Sequence, residues 1–133
     1  MIFIDTGAFL GRYLTADQFH ARAVAGWTRI AQDSERCCTS SFVLDETLTL
    51  LARRANYAFA ADRGRAIRNS KALEVLRPSE KIEGEALDLF EKFADQRVSF
   101  TDCVSFALMR ERRVKRAFAF DAHFTRAGFA LWP

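Results

Sequence analysis

The chain has 133 residues, half of them apolar, which is enough for one domain with a conventional buried core. Its formal net charge is +3, from 20 basic and 17 acidic residues, so the composition is compatible with an anionic partner but does not require one. The three cysteines exclude a disulfide framework, because their number is odd and Cys37 and Cys38 are adjacent. We therefore expect a single domain over residues 1–133 in a reducing cytoplasm.

The N-terminus begins Met-Ile-Phe-Ile-Asp and lacks the basic and sustained apolar segments of a signal peptide. No stretch of the sequence approaches about 18 uninterrupted apolar residues, the length needed to cross a bilayer. The sequence therefore predicts neither export nor membrane insertion.

Short apolar runs rich in β-branched or aromatic residues alternate with segments of helical period. The predicted strands, in chain order, are Ile2–Ile4, Arg36–Thr39, Leu73–Leu76, Ala117–Phe120 and Phe129–Leu131. The predicted helices are Ala8–Leu14, Asp17–Gln32, Ser41–Arg54, Tyr57–Asn69, Ser79–Ala94 and Asp102–Arg112. Because strands separated by helices need crossover connections, this pattern predicts an α/β fold with a mainly parallel central sheet of about five strands flanked by helices.

Two further features concern the surface. The 13 phenylalanines exceed what one core of this size ordinarily needs, so we expect some rings, such as Phe90 or Phe93, at a protein interface. A basic run closes the last long helix and leads into the next strand. It is typical of a solvated helix C-terminus, and phosphate contact is the alternative. Its members are Arg110, Arg112, Arg113, Lys115 and Arg116.

Three aspartates lie where predicted strands end or helices begin: Asp5, Asp102 and Asp121. Each could simply cap a helix, with Thr101 as a possible cap ahead of Asp102. However, the carboxyl ends of parallel strands share one crevice, so acids far apart in sequence can meet there. Such a cluster would repel itself unless a cation were bound. The joint arrangement therefore predicts a site for Mg²⁺ or Mn²⁺, which prefer oxygen ligands.

Capping cannot explain Glu46, which lies inside a predicted helix on the apolar stripe of Phe42 and Leu50. A carboxylate in such a stripe needs a cation or hydrogen bonds. The neighbouring Asp45 competes for this role, and a surface ion pair with an arginine would account for either acid. We favour Glu46 because of the stripe that it occupies.

Other chemistries fit the sequence less well. His20 and His123 have no neighbour at zinc-ligand spacing, and Ser105 and Cys103 lack a nucleophile setting. No glycine-rich phosphate loop occurs. The segment Asp5-Thr6-Gly7-Ala8 is similar to the catalytic loop of retroviral-type aspartic proteases, but that family is almost entirely β.

Four segments together look like the motifs of PIN-domain nucleases of the VapC-like toxin subgroup, and the resemblance runs from end to end. They are Ile2-Phe3-Ile4-Asp5-Thr6, Val43-Leu44-Asp45-Glu46, Phe100-Thr101-Asp102-Cys103 and Phe120-Asp121-Ala122-His123-Phe124. The resemblance implies a PIN-like three-layer sandwich. It also implies that Asp5, Glu46, Asp102 and Asp121 surround Mg²⁺ or Mn²⁺, with Thr6 and Thr101 hydrogen-bonding carboxylates or phosphate oxygens.

The same resemblance implies a metal-dependent endoribonuclease that is the toxin of a toxin–antitoxin pair. Its partners would be an RNA substrate, a small antitoxin protein and a second copy of the chain in a homodimer. The chain departs from the family's last motif, commonly Thr-x-Asp-x-Asp-Phe, because Ala119 replaces the threonine and His123 the second aspartate. His123 would contact the site indirectly or pack beside Phe124. The alternative is a non-catalytic PIN scaffold that binds RNA or protein.

Overall fold

Five short strands form the centre of the protein. The structure, a computed structural model, describes residues 1–133. All neighbouring strands pair in parallel, in the order β3-β2-β1-β4-β5, which confirms the predicted α/β fold. The central strand β1 is apolar and fully buried, as a strand covered on both faces must be. The strands are β1 Ile2–Ile4, β2 Cys37–Ser40, β3 Leu73–Leu76, β4 Arg116–Phe118 and β5 Ala130–Leu131.

Seven helices cover the two faces of the sheet. They are α1 Thr6–Tyr13, α2 His20–Asp33, α3 Ser41–Arg54, α4 Tyr57–Asn69, α5 Glu80–Lys92, α6 Phe100–Arg112 and α7 His123–Arg126, with a 3₁₀ turn at Ala94–Gln96. The chain steps from β1 to β2 to β3 in one direction and then crosses back to β4 and β5. Right-handed crossovers therefore put α1 to α4 on one face and α5 to α7 on the other. Contacts of α1 with α2 and α3, and of α6 with α5 and α7, agree with this three-layer sandwich.

Several boundaries differ from the predicted ones for local reasons. The predicted second helix began at Asp17, but Asp17 Oδ1 accepts a hydrogen bond from the Phe19 amide at 2.8 Å, and α2 begins only at His20. Such a side-chain turn competes with helix formation. Strand β4 ends at Phe118, opposite the last residue of β1, so Phe120 lies in the following loop. The short helix α7 was not predicted.

The phenylalanines mainly build the core rather than an interface. Phe90 is the only exposed phenylalanine, at 45%, whereas Phe93 is buried. Phe106 on α6 contacts Phe93 at 6.0 Å and Phe124 at 5.2 Å between ring centroids, and so joins α5, α6 and α7. The expectation of Phe93 at an interface is therefore wrong.

The polar features of the sequence also have defined places. All three cysteines are free and buried, and burial raises the pKa of the Cys38 thiol to about 12. In the basic run, Arg112 pairs with Glu74 at 2.9 Å and Arg116 with Glu35 at 3.2 Å. This run lies at the C-terminal end of α6, about 15 Å along the helix from Asp102. None of the helices is long and apolar enough to span a membrane.

Helix α2 approaches the sheet closely at Gly26, where a Cβ would lie only 2.5 Å from Cζ of the buried Phe118 ring. We predict that Gly26→Ala lowers the free energy of unfolding by about 1–3 kcal/mol, because Phe118 has no room to retreat. The matched control is Gly84→Ala on α5, where nothing lies within 4 Å. The control should gain about 0.5–1 kcal/mol from helix propensity. Urea unfolding measures both changes, and a stabilised Gly26→Ala variant would contradict the packing.

Candidate metal centre

The candidate site lies where the strand order reverses, next to the carboxyl ends of β1 and β4. The chain leaves β1 toward one face and β4 toward the other, so a crevice opens between the two layers. A cleft of about 410 Å³ occupies this place. It is lined by Asp5, Thr6, Gly7, Leu10, Asp17, Gln18, Phe19, Glu46, Leu50, Arg97, Ser99, Asp102, Phe120, Asp121 and His123. All four predicted acids are among these residues.

Asp5 follows β1 directly and precedes α1. Asp5 is only 6% exposed. Its backbone is extended, as in a cap residue, but its carboxylate makes no capping hydrogen bond. Burial raises the pKa of Asp5 well above its ordinary value, and the charges of Asp102, Asp121 and Glu46 raise it further. Only the hydrogen bond with the Thr6 backbone amide lowers the pKa of Asp5. Helix capping therefore does not account for Asp5, and the four carboxylates lie close enough to repel one another.

Glu46 reaches the cleft from the second turn of α3, a helix capped by Ser40. Its Oε2 accepts a hydrogen bond from Thr6 Oγ1 at 2.9 Å, which links α3 to the first turn of α1. Asp45 is exposed and does not line the cleft. The structure thus places Glu46 at the site and Asp45 outside it.

Asp102 lies in the first turn of α6 and is 8% exposed. Burial raises the pKa of Asp102, whereas its hydrogen bond with His123 acts in the opposite direction. The cap of α6 is Ser99, whose Oγ accepts from the Asp102 amide at 3.1 Å, so the predicted Thr101 cap is wrong. Thr101 does not line the cleft, and its carbonyl oxygen accepts from Ser105 Oγ at 3.0 Å.

Asp121, in the loop after β4, and His123, the first residue of α7, complete the wall of the cleft. Asp121 Oδ1 accepts from the His123 amide at 2.9 Å, and the His123 side chain turns toward the acids. Its Nδ1 lies 3.0 Å from Asp102 Oδ2 and 3.7 Å from Asp121 Oδ1. His123 therefore contacts the site through Asp102 rather than only packing beside Phe124. His20 lies elsewhere, with Nδ1 2.7 Å from the Gly11 carbonyl oxygen.

The residues present fit a hard divalent cation. Ligand atoms of Asp102, Asp121 and His123 lie within 4.8 Å of one another, and the buried Asp5 carboxylate faces the same cleft. Four carboxylates and a single imidazole favour Mg²⁺ or Mn²⁺, because zinc sites usually have more nitrogen or sulfur donors. A bound cation would offset both the burial and the repulsion that raise the pKa of Asp5 and Asp102.

Comparison with known proteins decides the family. The family model of the PIN domain matches residues 2–130. The chain belongs to the PIN-domain family. It is 36% identical, over 129 residues, to the 23S rRNA-specific endonuclease VapC20 of two Mycobacterium tuberculosis strains, CDC 1551 / Oshkosh and H37Rv. The match covers 97% of this chain and 95% of the relative in each strain.

A solved structure agrees with this family. The crystal structure of M. tuberculosis VapC20, described as a sarcin-ricin loop cleaving toxin, superposes with a TM-score of 0.89 at 33% identity. The superposition covers 98% of this chain and 97% of the VapC20 chain. The resemblance predicted from the four motifs, and the PIN-like three-layer fold, are therefore confirmed.

Several cleft residues of this PIN domain were not predicted from the sequence. Ser99 could have been found, because Ser99-x-x-Asp102 has the spacing of a helix N-terminus. Arg97, Phe19 and Phe120 carry no such local signal. Arg97 is exposed and adopts the left-handed conformation after the 3₁₀ turn, and it is the only arginine that lines the cleft.

The contact between His123 and Asp102 predicts a role in metal binding. We expect His123→Ala to weaken Mn²⁺ binding by about tenfold to a hundredfold, because a carboxylate ligand loses the group that orients it. His123→Asp, which restores the residue common in the family, should retain the affinity. Isothermal titration calorimetry with Mn²⁺ measures both variants. Equal affinity of His123→Ala and the parent protein would contradict this role.

The raised pKa values predict how the metal-free protein responds to pH. The folded state holds protons on Asp5 and Asp102 more tightly than the unfolded chain, so these groups favour folding at low pH. That contribution is lost as pH rises from the ordinary value of 3.8 through their raised pKa values. In EDTA, Asp5→Asn should therefore melt higher than the parent protein at neutral pH, and the difference should shrink on acidification. Thermal unfolding across this range tests the prediction, and a lower neutral Tm for the variant would refute it.

Proposed function

We propose that this chain is a metal-dependent endoribonuclease and the toxin of a toxin–antitoxin pair. The observation that carries the proposal is the convergence of four carboxylates, from four separate segments, on one open cleft of about 410 Å³. The similarity to VapC20, named a 23S rRNA-specific endonuclease, supports the same reaction here. A loop of ribosomal RNA is accordingly the first substrate to test.

Asp5, Glu46, Asp102 and Asp121 would hold Mg²⁺ or Mn²⁺ in this reaction. Such a cation would supply positive charge at the scissile phosphate and would lower the pKa of a water nucleophile. The protein's own residues hold two of these carboxylates in position. Thr6 holds the Glu46 carboxylate through a 2.9 Å hydrogen bond, and His123 holds Asp102 at 3.0 Å.

Arg97 would contact the RNA rather than the cation. Arg97 lines the acidic cleft, is exposed and forms no ion pair with a carboxylate. A planar guanidinium binds phosphate oxygens in a bidentate manner and stays charged at any physiological pH. We assign Arg97 to a substrate phosphate next to the scissile bond.

The proposed partners follow from the family. As a VapC-like toxin, the protein would act in the cytoplasm, pair with a small antitoxin that enters or covers the acidic cleft, and form a homodimer. The negative charge at the cleft floor suits a basic antitoxin segment, because opposite charges across an interface favour association. A non-catalytic PIN scaffold would not need to keep all four carboxylates at the cleft, so the geometry favours the nuclease.

Substitution of Asp102 tests the mechanism. We predict that Asp102→Asn abolishes Mg²⁺-dependent cleavage of ribosomal RNA without unfolding the protein, because the amide keeps the shape of the side chain but not its charge. The matched control is Asp45→Asn, since Asp45 is exposed and lies outside the cleft. The control should cleave like the parent protein. Sequencing of RNA ends reports cleavage and circular dichroism reports folding. Undiminished cleavage by a folded Asp102→Asn variant, in a preparation free of contaminating nucleases, would refute the mechanism.

A further inference from the structure

Two aromatic rings form part of the cleft wall beside the acids. Phe19 and Phe120 stack with a centroid distance of 4.6 Å and an interplanar angle of 10°. Both rings are half-buried, and both line the cleft. Phe120 immediately precedes the metal-site residue Asp121 in the chain. An apolar surface thus adjoins the acidic floor of the cleft.

Local packing holds this ring pair in place. A Cβ at Gly7 would lie 3.5 Å from Cδ2 of Phe120, and one at Gly11 would lie 3.6 Å from its Cε2. Phe120 therefore packs close to the backbone of α1. The turn at Asp17 holds the backbone of Phe19, through the hydrogen bond to its amide. Rings positioned in advance lose little entropy when a ligand binds.

A positive charge accompanies the rings. The Arg22 guanidinium lies 5.5 Å from the centroid of Phe19 and 5.1 Å from that of Phe120. Arg22 is exposed on the first turns of α2 and forms no ion pair with a carboxylate, unlike Arg29, which lies 3.6 Å from Asp33. Its charge therefore remains available to a phosphate.

One of the two rings, Phe120, also connects two depressions of the surface. Phe120 lines both the acidic cleft and a second groove of about 400 Å³ that contains Arg22, Arg29 and Trp132. A strand of nucleic acid that leaves the metal centre can follow this groove. Proteins that bind single strands combine such a basic groove with aromatic rings on which bases stack. A paired base has no free face, so this arrangement favours an unpaired nucleotide.

We propose that Phe19, Phe120 and Arg22 form a nucleotide subsite next to the metal centre. An unpaired base of the RNA substrate packs on the ring pair, and an adjoining phosphate contacts Arg22. The subsite rests on the proposed nuclease function and deepens it, because it selects single-stranded or loop RNA over duplex. Arg22 and the rings act in substrate binding and do not hold the cation.

The test compares RNA binding by single variants in an Asp102→Asn background, which prevents cleavage. Fluorescence anisotropy with a short unstructured RNA should show about tenfold weaker binding for Phe19→Leu, the loss expected for one stacked base. With an abasic RNA of the same length, Phe19→Leu and its parent should bind equally. A loss of equal size on abasic RNA would overturn the stacking role.

Arg22→Gln provides a second variant that does not depend on core packing. The slope of log affinity against log salt should fall by about 0.7, as expected when one phosphate contact to a single strand is lost. The matched control is Arg113→Gln, an exposed arginine at the far end of α6, which should leave the slope unchanged. Equal slopes for Arg22→Gln and its parent would overturn the phosphate contact.

A measurement of Mn²⁺ affinity distinguishes a failure of the subsite proposal from a failure of the proposed nuclease function. Calorimetry on the otherwise unsubstituted protein should give the same Mn²⁺ affinity with and without Phe19→Leu, and a parallel loss of metal and RNA affinity would overturn the subsite. RNA binding that responds to Phe19, in a protein that never cleaves RNA with Mg²⁺ or Mn²⁺, would sustain the subsite and overturn the nuclease. Absence of any RNA binding would overturn both.

Discussion

Electrostatic repulsion among buried carboxylates is the constraint on which the rest of the structure depends. Asp5 and Asp102 are both nearly inaccessible, and each feels the charge of other acids in the cleft. Such an arrangement is unfavourable on its own, because both desolvation and like charge oppose ionisation. The fold compensates in part: Asp5 precedes α1 and Asp102 lies in the first turn of α6, where helix dipoles favour negative charge. The remaining repulsion favours the binding of a cation in the cleft.

Holding these charges together requires a stiff frame, and the aromatic core supplies it. Phe106 on α6 packs against Phe124 on α7, so the helix that carries Asp102 and the helix that carries His123 are anchored to each other. On the opposite layer, Trp27 donates a hydrogen bond to the Ala8 carbonyl oxygen at 3.0 Å and so ties α2 to α1 behind Asp5. The many phenylalanines thus pack the elements around the site against one another and make them rigid. Rigid support matters because small displacements of ligand groups weaken a metal site strongly.

The sequence predicted most elements whose signals are local. The bounds of β1, β3, α3 and α4 agree with the prediction, since a short, mainly apolar run marks each strand and a capping Ser40 or Asn56 marks each helix. The four acids could be singled out by their chemistry and order alone. What could not be predicted depends on three-dimensional proximity: the hydrogen bond from His123 to Asp102, and the approach of Arg97 to the cleft. Ser99 was missed for a different reason, because Thr101, two residues later, also has a hydroxyl group that can cap a helix.

The pairing of β1 with β4 has a consequence for biosynthesis. The first strand of the chain lies at the centre of the sheet, and its partner on one side spans residues 116–118. Asp5 and Asp121 therefore cannot become neighbours until residues 116–121 have emerged from the ribosome. Contacts of such wide sequence separation form late and slowly in folding. A nascent chain of this architecture lacks its acidic centre until that point, so a polypeptide whose synthesis stops earlier carries no complete site.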